Sequence, residues 1–139
     1  MGELPIKALS IRQPWAWAIV HAGKNIENRD WPTRFRGPVC IHAAKSVPAS
    51  EFRDAAEFIS MAQRGSGQLR PKVHPWRSLI EKGGIIGVAE IVACVEASAS
   101  PWFMGRYGFV LANVRPVPFI PVKGALGFFD WRKSLGGQA

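Results

Sequence analysis

With 139 residues, 47% of them hydrophobic and 20% charged, the chain has the size and makeup of one globular domain, which excludes a disordered or fibrous protein. Two cysteines, Cys40 and Cys94, are too few for a disulfide framework, and no apolar run nears the ~20 residues that cross a bilayer. Together with the lack of a basic-then-apolar leader, this leads us to expect a cytoplasmic protein with a single domain over residues 1–139 and no membrane partner. The net charge of +8 is uneven: residues 1–50 carry seven basic and three acidic groups, residues 51–100 six of each, and residues 101–139 five and one. That sign is expected of a protein with polyanionic partners, although surplus charge also serves solubility. Six Trp and eight Phe supply flat rings suited to stacking on bases, most of them expected in the core.

In chain order, Leu9 to Ile11 reads as a short strand. Pro14 then stands where a helix begins, and WAWAIVHA runs to the natural stop at Gly23. Asn25 to Trp31 reads as extended and turns at Pro32-Thr33. Val39 to Ala43 is a strand with Val39 and Ile41 on one face and Cys40 and His42 on the other. Ser50 is placed to cap a helix whose Phe52, Ala55, Ala56 and Ile59 fall on one side. Gln63 to His74 is polar, basic and broken by Gly and Pro, so a mobile surface loop is expected. Pro75 to Lys82 suits one or two helical turns, closed by Gly83-Gly84. Ile85 to Val95 is the strongest strand pattern, and Tyr107 to Asn113 and Phe119 to Val122 are two more, separated by Pro116 and Pro118. The sum is an α+β domain of about five or six short strands whose sheet curls into a small barrel, with flanking helices.

Within that frame, alternation along GKNIENRDW puts Asn25, Glu27, Arg29 and Trp31 on one face, with Lys24 just after the helix stop. Such a cluster fits either a solvated ion pair on an exposed edge or a polar pocket. Glu90 interrupts the apolar strand GVAEIVACV, sharing a face with Ile86, Val88, Val92 and Cys94. A buried carboxylate there needs a cation or several donors: Glu90 fits a structural ion pair, a position facing solvent through the barrel wall, or the lining of a pocket with Lys24. His21, His42 and His74 do not make a metal set: Cys40-Ile41-His42 has the wrong spacing for zinc, and no second pair completes four ligands. Nucleophile elbows and Gly-rich phosphate cradles are absent as well. No metal and no cofactor are expected.

The stretches Ser10-Ile11-Arg12-Gln13-Pro14-Trp15, Gly23-Lys24-x-x-Glu27-x-Arg29, and Arg36-Gly37 with Ile41-His42-Ala43 together resemble the ASCH domain, a member of the PUA-like superfamily. The resemblance continues through Gly87-Val88-Ala89-Glu90, Tyr107-Gly108 and Pro121-Val122-Lys123-Gly124, roughly Leu9 to Trp131. It implies a PUA-like small β-barrel with flanking helices and a cleft beside the first helix. Proteins of this superfamily typically bind RNA, and several hold a flipped or modified base.

Carried over residue by residue, the resemblance places Lys24, Glu27 and Arg29 in the cleft. The expected partner is single-stranded RNA or a cytidine-type nucleoside. Gln13 and Glu27 suit hydrogen bonds to a base edge, and Trp15 or Trp31 suits stacking on its face. Arg12, Arg29, Arg34, Arg36, His42 and Lys45 complete the expected nucleic-acid contacts, the cations holding phosphates in a salt-dependent way. Some small bacterial members similar to this chain are amidohydrolases that remove N4-acyl groups from cytidine nucleosides, using a Lys, a Thr three residues on, and a Glu on a central strand. Lys24 and Glu90 match the first and last, whereas Glu27 stands where the Thr would be. Lys24, Glu27 and Glu90 are thus the expected catalytic set of a metal-independent hydrolase, with water as nucleophile. Cleavage of single-stranded RNA is a further activity of the family, with no residue set here to match it.

Overall fold

A computed structural model describes residues 3–68 and 72–136. The elements in chain order are β1 (Lys7–Ile11), α1 (Trp15–His21), β2 (Ile26–Arg29), β3 (Gly37–Ala43), α2 (Ala49–Gly65), β4 (Gly84–Val95), β5 (Tyr107–Pro121), β6 (Phe128–Asp130) and α3 (Trp131–Gly136). The strands form one mixed sheet in the order β2-β5-β4-β3-β1-β6, parallel only where β1 meets β3. This is the α+β architecture expected: among the described residues, six strands curl into a half-barrel with three helices.

The curl brings the two ends of the sheet together. Arg29 on edge strand β2 donates through Nη2 to the Ser10 carbonyl of β1 at 2.9 Å. Trp31, just past β2, packs edge-on against Phe109 of β5 and Phe128 of β6, with ring centroids 5.2 and 5.7 Å away. Phe109 and Phe128 themselves stack at 6.2 Å. Four strands thereby wrap a concave core in which Leu9, Ile41, Ile91 and Phe109 are almost wholly excluded from water.

Helix α1 fills that concavity. Ala16 and Ile19 enter the sheet core, while Trp17, Ala18 and Ala22 pack into a second core against Phe52 and Ile59 of α2. Buried on both sides, seven residues hold a helix that propensity alone would not sustain. Gly23, at φ +78°, adopts the left-handed conformation that ends it and turns the chain into β2. On the convex face, Ala8, Cys40, Ile85 and Val88 pack with Trp131 of α3. No helix among the described residues is long and apolar enough to cross a membrane.

Several expectations are revised. Tyr107 to Pro121 is one strand rather than two. Its first four residues pair with β2, but beyond Val110 that side of β5 has no sheet neighbour among the described residues, so Pro116 and Pro118 need no donor there. Kinks in register between β4 and β5 absorb the irregularity, with Asn113 at φ +51°. One such shift, between Ile85 and Gly87, moves Ile86 from the face of Glu90 to the concave core. Helix α2 begins after Pro48, and Ser50 lies inside it without capping it. Gln63 closes α2 as a buried residue. Its amide donates to the Lys72 carbonyl at 3.0 Å and accepts from the Lys72 N–H at 2.7 Å, which ties down the expected mobile loop at both ends. Residues 69–71 of that loop lie outside the described residues. Between Pro75 and Lys82 there is one hydrogen-bonded turn, closed on the Trp76 carbonyl, within the one or two turns expected. Strand β6 and helix α3 have no counterpart in the sequence reading: three residues are too few to show a period.

Candidate functional site

A cleft of about 610 Å³ opens between the start of α1, strand β2 and the loop between β5 and β6. The Gly23 turn places Lys24 at its base, where the Lys24 N–H still donates to the Ala18 carbonyl at 3.1 Å. The Lys24 side chain, 2% exposed, donates to the Ile26 carbonyl and to Glu27 Oε1 at 3.2 Å. Glu27 Oε2 accepts from Arg29 Nε at 3.0 Å, so one buried carboxylate is shared by two cations. The trio leaves a local charge of +1. Burial pushes the Lys24 ammonium below its ordinary pKa, Glu27 opposes that shift through charge and hydrogen bond, and Arg29 adds to it.

Aromatic walls flank this floor. Trp15, half-buried, stands with its ring 5.6 Å from Lys24 Nζ, and Arg29 lies 5.9 Å from the Trp31 ring. Arg12 reaches the rim, where its guanidinium meets Glu51 at 2.6 Å with more than half of each side chain exposed. Met104 and Leu126 complete an apolar lip, Leu126 being almost fully exposed. Of the residues expected to act together, Arg12, Trp15, Lys24, Glu27, Arg29 and Trp31 converge on this cleft.

The others do not. Gln13 is a structural clamp: its Oε1 accepts from the Trp17 N–H at 2.8 Å and its Nε2 donates to the Glu81 carbonyl at 2.7 Å. Both ends of its amide are thus engaged away from any base. Arg34 and Arg36 are exposed on the connection between β2 and β3, and Arg36 donates to the Thr33 and Phe35 carbonyls. Asn25 faces away from the cleft and accepts from the Ser100 hydroxyl at 2.7 Å.

Glu90 does not meet Lys24. It lies between Ala89 and Ile91, which both face the concave core, so its side chain leaves on the convex side. There its Oε1 accepts from Asn113 Nδ2 at 2.8 Å. A neutral amide donor and partial access to water take the place of a cation, which agrees with the expectation of a solvent-facing Glu90 and not with a pocket shared with Lys24.

His42 and Lys45 border a second cavity, of about 680 Å³, that shares Ser10, Arg12 and Ala44 with the first. His42 is 1% exposed. Its Nε2 faces the Val122 carbonyl at 2.7 Å and must donate, so Nδ1 accepts from the Ser10 hydroxyl at 2.9 Å. Burial pushes the imidazole below its ordinary pKa, with the Val122 carbonyl opposing. Lys45 is exposed in the cavity wall. Sequence reasoning missed Ser10 and Lys123 as lining residues, although both lie in stretches that carry the family resemblance.

A curled mixed sheet holding a helix in its concavity is the PUA-like architecture. The family model for the ASCH domain matches residues 9–115, and the chain belongs to that family. Among characterised proteins it is similar to the human (Homo sapiens) protein activating signal cointegrator 1, 27% identical over 88 residues. That match takes in 63% of this chain and 14% of the human protein, so the two share a domain-sized segment only.

Proposed function

We propose that the cleft beside α1 binds single-stranded RNA, seating a base against Trp15 and Trp31 above the Lys24–Glu27–Arg29 floor. The observation that carries this reading is the convergence of two indole rings and a cation-bracketed carboxylate on one cleft. Indole faces stack on any base, and the fixed carboxylate and guanidinium offer an acceptor and donors to its edge. The basic ends of the chain attract the backbone. Membership of the ASCH family supports the same reading.

Hydrolysis of an N4-acylcytidine draws no such support. It calls for Glu90 beside Lys24, and Glu90 bonds Asn113 on the opposite side of β4. Glu27, for its part, is already held by two cations.

The test is equilibrium binding of a labelled single-stranded RNA to the protein as salt is raised. Affinity is expected to fall steeply between about 50 and 200 mM through release of condensed counterions. Replacing Arg12, the cation at the rim of the cleft, should flatten that slope and weaken all sequences alike, as backbone contacts do. Absence of binding at low salt, or binding indifferent to salt, overturns the reading. Acetate released from N4-acetylcytidine would instead restore the enzyme.

A further inference from the structure

We infer that the second cavity is a phosphate subsite, so that the whole site is built for a phosphorylated nucleotide unit rather than a bare nucleoside. This rests on the proposed base-binding role of the first cleft. The two cavities are confluent, with Ser10, Arg12 and Ala44 lining both. Their charges differ in kind. In the first, Lys24 and Arg29 are engaged by Glu27, and Asp30 adds a second acid to the lining. In the second, Arg12, Lys45 and Lys123 face a space whose lining, among the described residues, contains no carboxylate. Among the described residues, neither Lys45 nor Lys123 pairs with an acidic group, and the Arg12 partner Glu51 lies outside the lining.

The cavity is shaped by its backbone. A Cβ on Gly124 would come 2.7 Å from His42 Cε1 and 3.0 Å from Ser10 Oγ, so the loop lies directly on these two residues and no side chain fits between. Gly83, at φ +77°, accepts from the Val122 N–H at 3.2 Å and joins the opposite wall to that loop. Burial favours the neutral imidazole at the floor, His42 being 1% exposed. Attraction for an anion therefore comes from the three cations at the rim. An arginine fork with two ammonium groups suits the several oxygens of a phosphate. Continuity with the aromatic cleft makes it the phosphate of the same ligand, carried as a terminal monoester or an internal diester.

The experiment is calorimetric titration of the full chain at low salt with ribonucleosides, their monophosphates and dinucleoside monophosphates. It is run on the native protein, on the Lys45→Gln/Lys123→Gln double variant and on Trp15→Ala. Phosphate-bearing ligands are expected to bind about tenfold tighter than the matching nucleosides, the size of one or two charged hydrogen bonds. The double variant should bring that ratio close to one. The monophosphate and dinucleotide arms tell monoester from diester. Nucleosides that bind as tightly as their phosphates, or a ratio untouched in the double variant, overturn the subsite and leave the base cleft standing. A phosphate preference lost in the double variant, with the affinity of nucleoside and nucleotide alike untouched by Trp15→Ala, upholds the subsite and overturns the base cleft instead.

Discussion

Glu27 and Glu90 look alike along the chain, each a carboxylate inside a strand, yet the fold treats them differently. Glu27 is 6% exposed, and its neighbours Lys24 and Arg29 each reach one of its oxygens. Glu90 keeps partial access to water and one neutral amide donor, from Asn113. The depth of burial decides how much charge must be returned to a carboxylate: a nearly dry one requires cations, a half-wet one does not. The dry one lies where a ligand would sit, which gives the cleft a charged and rigid floor.

The largest way to break that contrast is to remove the shared carboxylate. Glu27→Ala leaves Lys24 and Arg29 together without it and should cost about 3–5 kcal/mol, seen as a large drop in Tm by circular dichroism. A loss below 1 kcal/mol would mean that the trio is solvated. A smaller effect is expected from pH at the neighbouring cavity. Since burial holds the His42 pKa below 6.5, the unfolded chain takes up this proton first as pH falls. The contribution of the neutral imidazole is complete above about pH 6.5 and declines below it, so Tm should fall on acidification. His42→Gln should remove part of that pH dependence, and an identical profile in the variant would contradict the assignment. The smallest effect belongs to Glu90→Gln, which keeps an acceptor for Asn113 and should change stability by about 1 kcal/mol or less. RNA binding in that variant should match the native protein, and a marked loss would return Glu90 to the cleft.

What was legible in the chain follows from how local each signal is. The Pro14-to-Gly23 helix, the β3 strand and the Lys24–Glu27–Arg29 cluster depend on spacing over a few residues, and all are present in the fold. Along the chain Gln13 looks free to meet a base, because its partners, the Trp17 N–H and the Glu81 carbonyl, exist only once α1 has folded against the 75–82 segment. Period-two counting puts Ile86 beside Glu90, but a register shift in β4 moves Ile86 to the other face, and such counting has no means to see a bulge. Pro116 and Pro118 suggested a break because the chain alone does not say which side of β5 lacks a partner. Lys123 is distant in sequence from Arg12 and Lys45, and only the path of the loop after β5 brings it to them.

The most direct test of the central claim, that the cleft beside α1 holds a base, compares two tryptophans. Trp15 lies in the cleft wall, half-buried, whereas Trp76 is 78% exposed and lies outside it. Binding of one labelled single-stranded RNA to Trp15→Ala and Trp76→Ala, each checked for its melting transition, separates stacking in the cleft from adventitious aromatic contact. Trp15→Ala should weaken binding by about 1–3 kcal/mol, the range for one lost base stack, with Trp76→Ala unchanged. Unchanged affinity in a folded Trp15→Ala protein would contradict the account.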